Sequence, residues 1–510
     1  MSSERPEGVR ELAGVRVVVA GLGPMGRGIA RVFDRAGAQV QVVDISAEAG
    51  ERGLALIRDE AESDDEQVAA TAGADLESAL ADADVFIEAV VEDMAVKRDL
   101  LEAVAKFGRP DLLVVSNTSS LSVSEMGRAF GDPARVVGMH FFNPATKMRL
   151  VEVIVGAATS EASVARALEL TQALGKAAVT CKDSPNFVVN RVCRPLYYEA
   201  QLLVTQGVEV AVVDAVARGA LGHRMGPLQL LDFAGLHTHL ASSETALREF
   251  GDPRYRPIPQ ARALVRAGMT GRAAGRGFYD YGREKPRDAQ ARVVREPEPS
   301  NGVRVAFAGP DAARLADHEA IASVTDDAAP VVVYSCRRTP TEMDAEKVRQ
   351  LASHRAVVVD SSDGRWLDIL PHGAAWVRIH RTPADGLFVE VVDDRVAGIT
   401  VTDAVATVLD ALGAPSVRVL ALPGLVADRL VQCMINEATS VVEEGTADPK
   451  DVDVALRLAM NHPFGPFEYL ARCGAANVYA GLRSMTDLIG DPRYRPAQLL
   501  RRQAAAEERQ

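Results

Sequence analysis

The sequence predicts an α/β, Rossmann-type dinucleotide-binding domain followed by an all-α domain, with that pair repeated once in a degenerate second copy. Three observations predict it. A glycine triplet sits between an apolar strand and an amphipathic helix; strands and helices alternate as far as residue 184; and the chain begins again near residue 302.

The first observation is the stretch Val15 to Asp44. Val15–Val19 is a β-branched run, which reads as a strand buried on both faces. Gly21, Gly23 and Gly26 follow in G-x-G-x-x-G spacing, then a helical pattern from Arg27 to Ala36, a stop at Gly37, a second strand Val40–Val43 and Asp44. In this context Gly21 permits the tight turn, Gly23 lets a pyrophosphate approach the backbone, and Gly26 lets helix and strand pack closely. The helix N-terminus offers unpaired N–H groups to the phosphates. Asp44 can accept from both ribose hydroxyls and repels a 2′-phosphate, which favours NAD over NADP as cofactor. The loop Gly21-Leu22-Gly23-Pro24-Met25-Gly26 and Asp44 are therefore the expected cofactor contacts.

Composition narrows the class. At 510 residues several domains are expected. A net charge of −13 argues against a nucleic-acid partner. No apolar run approaches a membrane span, and the polar opening MSSERPEGVRELAG lacks the apolar core of a secretory signal, so no membrane partner is expected. The five cysteines are scattered without C-x-x-C spacing; neither a metal site nor a disulfide frame is indicated, and a reducing cytoplasm is the expected location.

Taken in order, the first domain (residues 1–184) continues with a helix over Glu48–Asp59 and the acidic run AESDDE, read as a solvated helix end or loop. Strands are predicted at Asp84–Val91, Leu112–Ser116, Val136–His140 and Leu150–Val155, with a helix at Met94–Lys106. From residue 185 to 283 the pattern turns helical: Asn186–Thr205, Val208–Arg218 and Leu228–Glu249, closing on GRAAGRGFYDY. Glu284 to Ser300 is charged and holds prolines, and reads as a linker.

The rest repeats the beginning. GVRVVVAG returns as GVRVAFAG, HRMGPLQLL as HPFGPFEYL, and GDPRYRP occurs verbatim twice, about 240 residues apart. VVGMHFFNPATKMRLVEVIV returns as WVRIHRTPADGLFVEVV, placing His380 and Glu390 where His140 and Glu152 stand. A period this long indicates duplication of a whole two-domain unit. The second copy, a sheet domain at 301–421 and a helical domain at 422–510, is about 50 residues short in its nucleotide half. Its loop reads AGPDAARLA, so it is not expected to bind NAD.

The candidate chemistry lies at His140 and Glu152. Glu152 interrupts an apolar strand, where a carboxylate is costly unless paired, and His140 is the natural partner. A histidine so held has its tautomer and orientation fixed, as a general base requires; a purely structural His–Glu bond is the alternative, and His380 with Glu390 lends it weight. Ser119, in the run Asn117-Thr118-Ser119-Ser120, and Asn190 become candidates if helices close over the strand ends; turn and cap chemistry is the plainer reading of such residues.

GLGPMGRGIA, IEAVVEDMAVK, SNTSSLSVSEM, GMHFFNPATKMRLVEVI, KDSPNFVVNR, GPLQLLDFAGL and GRGFYDY occur in that order. Together they resemble the L-3-hydroxyacyl-CoA dehydrogenase family over about Val15 to Tyr281, and the duplicated helical region resembles its longer bacterial members. The resemblance implies NAD-dependent oxidation of a short-chain L-3-hydroxyacyl-CoA, such as a 3-hydroxybutyryl or 3-hydroxyadipyl thioester. The family's catalytic His and its Glu partner fall on His140 and Glu152, and its substrate-positioning Ser and Asn on Ser119 and Asn190. Glu92, Lys97 and Asn143 are implied to line the nicotinamide and ribose side. The segment from Asp44 to Glu92 is shorter than the family's usual cover for CoA, and Ala273 stands where a lysine is common; a dehydrogenase of a free 3-hydroxy acid, of gulonate or carnitine type, is one rival reading, and a non-catalytic NAD-binding protein, against which His140, Glu152, Ser119 and Asn190 all speak, is the other. The family also implies that helical domains pair between two subunits, and the second copy, near Leu425 to Leu500, is expected to imitate that pairing within one chain as a pseudo-dimer, with association of whole chains into a homodimer left to experiment.

Overall fold

A computed structural model describes residues 12–296 and 302–509, which pack as two compact units. One contains the chain up to Arg191 together with Glu444–Met460; the other contains Val192–Glu443 and Asn461 onward. Among the described residues no helix is long and apolar enough to cross a membrane.

The first unit is built on strands β1 (Arg16–Ala20), β2 (Gln39–Val43), β3 (Thr71–Ala72), β4 (Val85–Glu88), β5 (Leu113–Ser116), β6 (Val136–Phe141), β7 (Leu150–Val155) and β8 (Ala177–Lys182). Their order across the sheet is β3-β2-β1-β4-β5-β6-β7-β8, and every pair is parallel except β6 with β7. Val17, Val18 and Val19 are all buried, as a sheet covered on both faces demands. The helix Pro24–Arg35 follows β1 with Pro24 at its first turn, where a missing N–H is harmless. Ile29 and Phe33 bury their side chains in the sheet's core with Val40 and Val42.

Two expectations need correcting here. AESDDE is not simply solvated: Asp64 and Glu66 pair with Arg31, at 2.7 and 2.9 Å, and Glu66 also with Arg35. Arg31 is buried on the helix after β1 and needs those carboxylates. Second, Pro449–Met460, read with the distal helical domain, packs on β7 and β8. The backbone N–H of Lys182 donates to Thr446, and Arg191 pairs bidentately with Glu444 at 2.7 and 2.8 Å.

The second unit carries β9 (Val294–Arg295), β10 (Ala306–Ala308), β11 (Val331–Ser335), β12 (Ala356–Asp360), β13 (Ala375–Arg381), β14 (Leu387–Val392) and β15 (Ser416–Val419). Their order is β10-β11-β12-β13-β14-β15-β9, with β13–β14 and β15–β9 antiparallel. Here β10 pairs directly with β11, and among the described residues no strand stands in the places of β2 and β3, which is the shortening visible in the sequence. The predicted linker is corrected too: it holds the helix Pro286–Val293 and strand β9, and its residues 297–300 lie outside the described chain. Pro286 sits at the helix's first turn, where it starts the helix instead of breaking it.

Around this sheet the helical segments interlock through contacts that recur about 239 residues apart. His223 stacks on His462, with ring centroids 4.0 Å apart and planes within 5°. Arg495 pairs with Asp252 at 2.9 Å, and Arg256 with Asp491 at 3.5 Å. Arg429, fully buried, bonds Glu199, Gln206 and Tyr494, while Tyr255 bonds Glu437. The predicted helix Leu228–Glu249 is broken at Gly235, whose φ of +93° ends Pro227–Ala234 and starts Leu236–Phe250.

Candidate active site

The antiparallel register of β6 and β7 places His140 directly opposite Glu152. His140 Nδ1 lies 2.7 Å from Glu152 Oε2, and the two residues are 6% and 0% exposed. Glu152 Oε1 accepts the backbone N–H groups of Val188 and Val189 at 3.1 and 2.8 Å. A carboxylate collecting these donors acts as an acceptor only, so Nδ1 carries the proton and Nε2 is the lone-pair nitrogen. The turn that aims the two N–H groups contains Asn186 and Phe187, both with positive φ (64° and 51°). Non-glycine residues adopt that conformation at a cost of about 1–2 kcal/mol each. Phe187 packs 5.9 Å from the imidazole centroid, and Phe142 packs at 4.5 Å.

Ser119 follows β5, the strand beside β6. Asn117 ties the two strand ends together by accepting the Phe141 N–H at 2.9 Å. Glu92 holds the loop: its Oε1 accepts from the backbone N–H and hydroxyl of both Ser119 and Ser120 and from the Thr118 hydroxyl. Burial pushes the Glu92 carboxyl up, but Lys97 and these donors outweigh it and hold it below the usual range. Asn190 Nδ2 reaches the Ser119 carbonyl at 3.4 Å, so the structure brings Ser119 and Asn190 together.

The other expected residues divide. Lys97 is 1% exposed and donates to both oxygens of Glu88 at 2.8 and 2.7 Å, with Glu92 at 3.4 Å. It lies beneath the loop as a clamp, and burial still pushes Glu88 up. Asn143 is exposed beyond β6. Sequence reasoning placed Asn117 only in a turn-forming run and gave Glu92 no structural part: bonds spanning 24 to 28 residues leave no periodic trace, though an acid facing a run of four hydroxyl and amide residues is a usable signal.

The residues around the first loop fit a dinucleotide. A Cβ on Gly21 would meet the backbone of Ala89 and Val90 at 2.8 Å, and one on Gly26 would fall 1.8 Å from the Gly21 carbonyl oxygen. A Cβ on Gly23 would meet nothing within 4 Å, so the open face of the turn is there. Gly23 and Pro24 are exposed, and Met25 is partly buried. Leu22 donates its N–H to Asp44 Oδ2 at 2.8 Å and Ile45 donates to Oδ1 at 2.7 Å; this fixes the carboxylate and leaves it further acceptor capacity.

The second sheet differs at each of these points. The register sets Arg378, not His380, opposite Glu390, which corrects the sequence pairing by two residues. The hairpin is shorter: His380 and Glu390 are 10 residues apart, where His140 and Glu152 are 12. Glu390 still accepts two backbone N–H groups, from Val426 and Ala427, but His380 approaches it diagonally and engages Nε2 at 2.8 Å. Asp428 stands where Asn190 stands in the first unit, and pairs with Arg378 at 2.9 Å. In the β10 loop Asp311 occupies the place of Gly23, its carboxylate accepting the Arg337 backbone N–H at 2.7 Å.

The chain matches two family models: the 3-hydroxyacyl-CoA dehydrogenase NAD-binding domain over residues 16–184, and the 3-hydroxyacyl-CoA dehydrogenase C-terminal domain over residues 187–281 and 424–510. It is 33% identical over 516 residues to the 3-hydroxyadipyl-CoA dehydrogenase of Escherichia coli, covering 96% of this chain and 98% of that one. It is 40% identical over 279 residues to a probable 3-hydroxybutyryl-CoA dehydrogenase of Bacillus subtilis, covering 52% of this chain and 97% of that one. Among solved structures it is similar to a 3-hydroxybutyryl-CoA dehydrogenase from Escherichia coli, with a TM-score of 0.80, 29% identity and coverage of 98% and 99% of the two chains.

Proposed function

Because this chain belongs to the 3-hydroxyacyl-CoA dehydrogenase family, we propose that His140 is the base through which it oxidises a 3-hydroxyacyl-CoA. The activity is the NAD-dependent, reversible conversion of the 3-hydroxyacyl thioester to the 3-oxo form. The full-length likeness to a CoA-thioester dehydrogenase favours this over the free hydroxy acid that the short Asp44–Glu92 segment left open.

The observation that carries the assignment is the Glu152–Nδ1 bond, which leaves Nε2 as the lone-pair nitrogen at the carboxyl end of β6. NAD, when bound, supplies the hydride acceptor for C3. Nε2 of His140 takes the proton of the 3-hydroxyl, and Glu152 stabilises the imidazolium that forms. Ser119 and Asn190 steady the oxygen as it becomes a carbonyl, and Glu92 keeps the Ser119 loop in place. Gly21, Gly23, Gly26 and Asp44 hold the pyrophosphate and ribose, with Leu22, Pro24, Met25 and Asn143 around them. Lys97 serves through Glu88 and Glu92.

With acetoacetyl-CoA and NADH, His140→Gln is expected to lose about 10²–10⁴-fold in kcat while retaining NADH affinity. Retention of more than about a tenth of the activity would refute the base assignment. We further infer that the acyl group is short, on the names of the relatives; a turnover screen across chain lengths and ω-carboxylated analogues tests this. The contacts recurring about 239 residues apart support a tandem duplication in which two helical copies pair inside one chain, the second serving as scaffold.

A further inference from the structure

The cleft of the second sheet is not filled in. Between the carboxyl ends of its strands and the helices of the same unit lies a cavity of about 360 Å³, whose lining includes Arg314, Arg337, Arg378, Arg381, Arg472 and Asp428. This is the small end of the range that holds metabolite-sized ligands. One acid faces five guanidinium groups.

The internal pairing leaves positive charge over. Asp428 is taken by Arg378 at 2.9 Å, and Arg381 leans toward Asp385 at 3.4 Å on the rim. Arg314 donates to the carbonyls of Arg472 and Cys473, and Arg472 lies over the Phe464 ring at 4.3 Å. Among the described residues, Arg314, Arg337 and Arg472 have no carboxylate within ion-pair distance. The enclosed Nε of Arg337 has no hydrogen-bond partner among the described residues. Arg378 is 7% exposed, and its Nη1 lacks a hydrogen bond although Asp360 lies 3.6 Å away. Burial, then Arg378 and Arg314, push the Arg337 guanidinium down to about 10 against the opposing pull of Asp360 and Asp428. Cations enclosed this way destabilise a fold unless an anion joins them.

We propose that this cavity is a binding site for a small multivalent oxyanion, carboxylate or phosphate, held by Arg337, Arg314 and Arg472. Guanidinium forks match either group bidentately. The site chemistry has changed from proton transfer to anion capture by the exchange of a His position for Arg378 and by the arginines gathered around it. The anion is distinct from the hydride acceptor and the thioester of the first unit.

The test uses the full chain saturated with NADH. Calorimetry and thermal unfolding are run with citrate, succinate, pyrophosphate and inorganic phosphate against sodium chloride at matched ionic strength. At least one of the four should bind and raise the unfolding midpoint beyond the chloride control. Arg337→Gln should weaken that binding about tenfold or more, since a charge-assisted hydrogen bond to the anion is lost. Binding by citrate and succinate alone identifies a carboxylate ligand; binding by pyrophosphate or phosphate alone identifies a phosphate ligand. If none of the four binds, or if Arg337→Gln binds as the parent does, the proposal fails. Should Arg337→Gln not fold, Arg472→Gln is read in its place, and equal binding by that variant overturns the proposal in the same way.

Discussion

The two sheets share a frame and differ in what fills it. Each has a glutamate in the strand after its antiparallel turn, and each glutamate collects two backbone N–H groups from a following turn with positive φ: Asn186 and Phe187 in one, Gly424 and Leu425 in the other. In the first unit a histidine stands across from that glutamate; in the second an arginine does. The glutamate is therefore a structural tie in both units, and what differs is the residue opposite it.

The largest effect that would break this comparison is on activity. Glu152→Ala should lose at least about 10²-fold in kcat, because Nδ1 loses its fixed acceptor and Nε2 its orientation. It should also destabilise the fold, since two buried N–H groups lose their acceptor at about 1–3 kcal/mol each. Glu390→Ala should lower stability by a similar amount and leave kcat unchanged. Steady-state kinetics and denaturant unfolding on both variants separate the two roles; a large fall in kcat for Glu390→Ala would mean that the second sheet is not mere scaffold.

Much of this was legible in the sequence. The stretch Val15–Asp44 folds as read, because glycine spacing and apolar periodicity are local signals. Glu152 was found because a lone carboxylate in an apolar strand has to be explained. The Arg378 position was hidden for a physical reason: matching histidine to histidine ignores a turn shortened by two residues, and only strand register shows which side chains face each other. The packing of Pro449–Met460 on β7 and β8 was hidden likewise, since helical periodicity says which face is apolar but not what it meets.

Next in size is the interlocked helical region of the second unit. Arg429 and Glu199 form a fully buried pair at 2.9 Å, whereas Arg191 in the first unit meets a Glu444 that is 44% exposed. Arg429→Ala leaves Glu199 charged and buried and should cost about 3–5 kcal/mol. Arg191→Ala should cost less, because the Glu444 carboxylate it leaves behind is already shared with solvent. Chemical denaturation of the two variants orders them; equal losses would contradict the difference in burial.

The stacked His223 and His462 add a pH dependence. Burial pushes His223 down to about 4 and His462 well below its usual value, in His462 aided by His223. A folded-state value below the unfolded one of 6.5 means that the unfolded chain binds protons first as pH falls. Stability is thus complete above about pH 6.5 and is lost as pH drops toward 4, by up to about 3 kcal/mol for His223. Urea unfolding at pH 7.5 and at about pH 5 should show this fall. His223→Phe should flatten it; a variant with the parent's slope would assign the acid sensitivity elsewhere.

The smallest expected effect is the most specific to the cofactor loop. Gly23 has φ of −63° and open space where a Cβ would go, so Gly23→Ala should leave the unfolding midpoint unchanged. Gly26→Ala, whose Cβ would fall 1.8 Å from the Gly21 carbonyl oxygen, should destabilise the fold. If a pyrophosphate lies against Gly23, the added methyl group should weaken NADH by about tenfold, or 1.4 kcal/mol, in fluorescence titration. Substitution at the corresponding position of the second unit, Asp311→Ala, should leave NADH binding untouched, since that loop carries a carboxylate where the first carries an open backbone. An unaltered NADH affinity in Gly23→Ala would move the cofactor away from this turn, and with it the reason for assigning catalysis to the first sheet.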